Sequence, residues 1–166
     1  MTDKTPTGGP AQPDSLSPEA ARRTPESERP AVLLADRARE AVHPRGRADA
    51  LAGGFLVGVC DDIAREAGFR VPVALTAAAW ADCVAWAPED SDRQTYQDES
   101  GRLWDVLWMT WNTVRRASGR SSCTVELCRI PRDGASRESQ PVRLDVTCGP
   151  GDAGEPVITI SLHGPR

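Results

Sequence analysis

The sequence predicts an α+β domain, with several short helices packed on one face of a small, mainly antiparallel sheet and a disordered N-terminal tail before it. Three observations predict it. The apolar period changes from 3.6 residues to 2 after Gly119, so a helical half gives way to a stranded half. The stretch RLWDVLWMTW at 102–111 is apolar around most of a helix and needs a surface to cover it. Half of the 14 prolines lie in residues 1–44, whose one sizeable apolar cluster is Val32-Leu33-Leu34. Such a segment cannot bury enough surface to offset its ordering entropy. The tail is therefore read as 1–44 and the single domain as 46–166.

The elements follow in order. GRADALAGG forms a short helix that the Gly53-Gly54 pair ends. FLVGVC fits a strand through Phe55, Val57 and Val59, and equally a helix through Leu56, Val59, Cys60 and Ile63. In DDIAREAGF, Asp61 or Asp62 caps a helix start, and Gly68 sits where a left-handed cap closes it. RVPVAL is extended, because the residue before proline avoids the helical region. Thr76 is the N-cap of AAAWADCVAW, and Pro88 marks that helix's end.

PEDSDRQTYQDES reads as an acidic, solvated loop. Asp98 or Ser100 starts the Trp helix, which closes with Arg115 and Arg116 at the negative end of its dipole. Cys123, Val125 and Leu127 then share one strand face. Val142, Leu144 and Val146 share a second, and Ile158, Ile160 and Leu162 a third. Turn-rich links, PRDGASRESQ and GPGDAGEP, join them into a three-stranded antiparallel meander.

Charge narrows the function. The net charge is −4, and neither the tail nor the domain is basic, so no electrostatic footprint for nucleic acid is present. No apolar stretch nears the roughly 20 residues that span a bilayer, and no secretory signal opens the chain. The expected location is cytoplasmic, with no membrane partner and with the five cysteines as reduced thiols.

Sites of known chemistry are tested one by one. Trp104, Trp108 and Trp111 stand at i, i+4 and i+7, and the expected role of these indoles is filling between helix and sheet. Cys123 and Cys128 fall on opposite strand faces and cannot share a metal. Cys148 shares the core parity of its strand, and Cys60 and Cys83 lie in apolar contexts, so all three read as small buried hydrophobes. Ser161, His163 and Asp145 contain the residue types of a hydrolytic triad, yet lack a nucleophile elbow and read as cross-strand pairs on a polar face. GPGDAG joins two strands and has neither the lysine nor the helix of a phosphate loop. Glu89, Asp90, Asp92, Asp98 and Glu99 do not match a calcium loop. No catalytic residue, cofactor or metal is therefore expected.

Two stretches together carry a resemblance. DALAGGFLVGVCDDIAREAGFRVPVALTAAAW at 49–80 and GRLWDVLWMTW at 101–111 resemble an uncharacterised family, a domain of unknown function, of small bacterial proteins often encoded by phages or plasmids. The likeness covers residues 46–130 and rests mostly on AREAGFR, PVALT and LWDVLWM. Members of that family carry an acid where Gly58 stands and another near Gly53, and this chain has neither. The resemblance implies a mobile-element context and no activity.

The expected function is that of a non-enzymatic accessory protein that binds another protein. The alternative is a small-molecule-binding domain or an unrecognised enzyme. It would use an enclosed pocket between the Trp helix and RVPVALT, with Tyr96, Arg102 and Asp105 at the rim. A nucleic-acid-binding regulator fits the charge least. Asp105 adds one condition: if buried in its apolar helix, it must be paired or protonated.

Overall fold

The computed structural model describes residues 46–117 and 119–164. The expected tail lies outside the described residues. Five helices appear among them: α1 Arg47–Ala52, α2 Asp61–Glu66, α3 Ala77–Cys83, α4 Pro88–Arg93 and α5 Glu99–Arg116. The strands are β1 Leu56–Gly58, β2 Val73–Thr76, β3 Ser122–Arg129, β4 Gln140–Pro150 and β5 Pro156–Leu162. They form one five-stranded sheet in the order β1-β2-β5-β4-β3.

The fold class is α+β, and the sheet is mostly antiparallel. The expected three-stranded antiparallel meander is present as β3-β4-β5, and the sheet is larger than that. β5 also pairs with β2, in parallel, which extends the sheet by two strands. β1 and β2 have only 3 and 4 residues, too few for a strong alternating signal. The ambiguous FLVGVC segment is strand β1.

Local chemistry sets the helix ends. The Ala79 N–H donates to Thr76 Oγ1 at 3.2 Å, and the Gly101 N–H to Asp98 Oδ1 at 2.8 Å, so Thr76 and Asp98 cap α3 and α5 as expected. At α2 the N-cap is Cys60, and Asp61 and Asp62 sit instead in the first turn, where the dipole favours them. α2 ends in a Schellman motif. The Gly68 N–H donates to Arg65 O, the Phe69 N–H donates to Ala64 O, and Gly68 takes φ +108°. At α1 the cap comes from far along the chain. Asp152, in the β4–β5 hairpin, accepts the N–H groups of Arg47 and Ala48, both at 2.7 Å. GPGDAG thus pins a helix.

The core lies on one face of the sheet. Val73, Leu75, Ile158, Ile160, Leu144, Val146, Val125 and Leu127 meet Ala79 and Cys83 of α3 and Leu103, Val106 and Leu107 of α5. α1 adds a second contact on the reverse face, where the Arg47 guanidinium donates to Thr159 Oγ1 at 3.1 Å. Cys148 keeps the core parity, opposite Ile158, but is exposed, near the end of β4 and beyond its buried residues Leu144 and Val146. Cys60 is exposed too, whereas Cys83 is buried and its thiol is pushed up to about 12, first by burial and then by Asp82. At neutral pH Cys83 is therefore an inert thiol.

Candidate functional site

α5 carries two stripes, and they part company in the fold. Leu103, Val106, Leu107 and Thr110 are buried in the domain, and so is Arg102 at 5% exposure. The indole stripe is turned aside. Trp104 and Trp111 are half-buried against the core, and Trp108 is 51% exposed. The expectation that all three indoles fill the core is thus corrected for Trp108. The aliphatic stripe takes the sheet, which rotates the indoles toward the flank and the outside.

Arg102 was expected at the rim of a cleft and lies in the interior. Its Nε donates to Val84 O at 3.2 Å, its Nη1 to Ile130 O at 3.1 Å and Gln97 Oε1, and its Nη2 to Asp82 O at 3.1 Å. Its Cζ lies 4.6 Å from the Trp86 ring centroid. Burial lowers its pKa, but a guanidinium remains charged and keeps all its donors. It ties the ends of α3 and β3 to α5. Beside it, Arg129 grips Asp82 through two bonds of 3.0 and 2.9 Å.

The acidic loop is also corrected. Residues 88–93 form α4, and Asp90 is buried. Its carboxylate accepts from the Ala87 N–H at 2.9 Å, Arg132 Nε at 2.6 Å and Arg93 Nη2 at 3.1 Å. Burial pushes this carboxyl up, but the Ala87 N–H and the two guanidinium groups outweigh it, and the pKa falls below the usual value. Gln94, also buried, donates to Pro131 O and Ser136 O and accepts from the Gly134 N–H, which holds the β3–β4 connection.

A depressed folded-state pKa contributes stability above the unfolded value, near 3.9, and that contribution fades as pH falls through the folded value. Asp90→Asn is accordingly expected to cost about 2 kcal/mol at neutral pH, and less as the pH drops below about 4. Denaturant unfolding at several pH values checks this.

These interior groups do structural work. The outward face of α5 does not. Trp108 stacks on Trp104 with ring centroids 6.5 Å apart and planes at 17°. Met109, 38% exposed, and Asp105 continue this face. Asp105 is therefore solvated, and the condition that would bind a buried carboxyl does not apply. Around the helix, Trp111 packs edge-on to Phe69 at 5.4 Å, and the Arg115 guanidinium lies 5.8 Å from its ring centroid. Here a groove of about 470 Å³ opens, lined by Arg65, Gly68, Phe69, Arg70 and Trp111. It lies beside the Trp helix and Arg70, at the start of RVPVALT. However, it is open to solvent, and its rim is Arg65 and Arg70. Arg65 is engaged by Asp61 and Asp62, and Arg70 is exposed. Tyr96 is 83% exposed on the α4–α5 connection, and the structure does not gather Tyr96, Arg102 and Asp105 into one site.

The reverse face of the sheet carries the expected cross-strand pairs. His163 Nδ1 lies 2.9 Å from Asp145 Oδ1, Thr124 Oγ1 donates to the same oxygen at 3.0 Å, and Arg143 meets Glu126 at 3.4 Å. Ser161 Oγ donates to Asp145 O at 3.4 Å, so its hydroxyl is turned to backbone and not to His163. Among the described residues no group of three or more His, Cys, Asp or Glu is placed to hold a metal ion, and no helix is long and apolar enough to cross a membrane.

The model of a family of unknown function, DUF6573, matches residues 36–165. The chain belongs to that family. The DUF6573 match runs through all five strands and beyond the 46–130 span of the sequence resemblance. No curated protein and no solved structure matches the chain. DUF6573 membership therefore brings no assigned residue, and the site rests on geometry alone. Sequence patterning missed the split between the two stripes of α5. The available signal was that Leu103, Val106, Leu107 and Thr110 form their own continuous stripe without the indoles.

Proposed function

We propose that this domain is a protein-binding module, and that it captures its partner on the outward face of α5. The observation that carries the reading is Trp108, half exposed and stacked on a second indole on a helix whose other stripe already fills the core. Tryptophan, methionine and arginine are the residue types enriched at interfaces and hot spots. Trp104, Trp108 and Met109 form the apolar centre, Asp105 lies on the same face, and the exposed Arg70 lines the Trp111 groove. The partner segment that fits is apolar, with an acidic residue to face Arg70. An open groove favours such a segment over a small molecule, since small-ligand pockets enclose most of their ligand. A non-enzymatic accessory role in the cytoplasm, in a mobile-element setting, is part of the same reading.

The test is affinity purification from the source cells with the wild-type chain and Trp108→Ala in parallel. A partner recovered with the wild type should bind the variant about 30-fold more weakly, the effect of losing a hot spot worth about 2 kcal/mol. Equal recovery of every bound protein by the two chains would sink the proposal.

A further inference from the structure

We propose that the free edge of β3 pairs with the same edge of a second copy of this chain, in antiparallel fashion, to join two sheets into one. Among the described residues β3 is the last strand of the sheet and pairs only with β4. The Cys148 N–H donates to Ser121 O at 2.7 Å, which sets the alternation of the ladder. In the observed register, Cys123, Val125, Leu127 and Arg129 direct their backbone groups to Val146, Leu144, Val142 and Gln140. Ser122, Thr124, Glu126 and Cys128 then direct theirs outward, and all four are exposed.

An open edge of this kind is normally guarded by shortness, proline, lysine or a bulge. β1, at the opposite edge, has 3 residues and is guarded by shortness. β3 has 8, contains neither proline nor lysine, and keeps unbroken register from Ser122 to Arg129.

The occupant follows from self-complementarity. When two copies of β3 meet about a two-fold axis at Val125, Thr124 stands opposite Glu126 of the second copy, and Ser122 opposite Cys128. Every outward residue is then matched, which gives about eight new backbone hydrogen bonds. On the helix-covered face Val125 stands opposite Val125, and Cys123 opposite Leu127. Sliding by two residues in one direction sets Glu126 against Glu126, a destabilising like-charge pair. Sliding the other way leaves Cys128 unmatched. One register satisfies both charge and hydrogen bonding.

Light scattering with size-exclusion chromatography, on the full chain from micromolar to millimolar concentration, tests this. The expected result is a concentration-dependent dimer. The Thr124 N–H points outward, so Thr124→Pro removes an edge donor and leaves the β4 ladder intact. It should weaken the dimer roughly a hundredfold. Thr124→Glu sets like charges opposite each other at two places and should weaken it about tenfold. Thr124→Val loses the same hydroxyl bond to Asp145 and should still dimerise. Circular dichroism checks the fold of each variant, and Thr124→Glu carries the test if Thr124→Pro misfolds. A monomer at every concentration overturns the proposal, as does a dimer that neither Thr124→Pro nor Thr124→Glu weakens.

Discussion

Arg102→Met is expected to destabilise the domain by about 3–5 kcal/mol, a large share of the 5–15 kcal/mol typical of a folded protein. Methionine fills much of the same volume but donates no hydrogen bond. It would leave the carbonyls of Asp82, Val84 and Ile130 and the Gln97 side chain without their donor, in an interior where Arg102 itself is 5% exposed. An unpaired buried acceptor carries the full cost of its desolvation. Arg102→Lys should recover only part of the loss, since three donors on one nitrogen cannot span acceptors spread around a planar fork. Urea unfolding measures both. A loss under about 1 kcal/mol for Arg102→Met would show that the carbonyls find other donors.

Gly68→Ala should cost about 2–4 kcal/mol, for two independent reasons. The residue has φ +108°, a region that side chains avoid. An added Cβ would also lie 2.6 Å from Trp111 Cε2 and 2.7 Å from its Nε1, too close for any real contact. The indole would have to move, which would disturb its edge contact with Phe69 and the groove beside it. Gly119→Ala is the control. It shares the positive φ, but its Cβ would meet nothing within 4 Å, so it should lose only the backbone part, about 1 kcal/mol. Equal losses at the two positions would mean that Trp111 yields freely.

Where a signal was local, the sequence carried it. Thr76, Asp98 and Gly68 act within a few residues of themselves, and each stands in its expected cap. The alternation of β3, β4 and β5 gave their faces, because a strand with one covered face repeats every second residue. What escaped depends on distant partners. Asp90 looked like one more solvated acid, since the residue that most tightly grips it, Arg132, lies 42 positions on. The Pro88-Glu89-Asp90 start of α4 was the only local hint, with proline in the first turn and an acid placed to accept the Ala87 N–H. The parallel β2–β5 pair joins strands more than 80 residues apart, which no periodicity records. On α5, position outweighs aromatic bulk: the smaller aliphatic stripe with Arg102 and Thr110 turns inward, and the largest side chain at Trp108 stays half exposed.

Whether Trp108 is displayed or packed is decided most directly by equilibrium unfolding of Trp108→Ala beside Trp111→Ala. A displayed indole loses only its stacking on Trp104, so Trp108→Ala should cost about 1 kcal/mol or less. Trp111 touches Phe69 and closes over Gly68, and Trp111→Ala should cost about 3 kcal/mol. Equal losses for the two variants would contradict the division of the indoles, and with it the binding face proposed on α5.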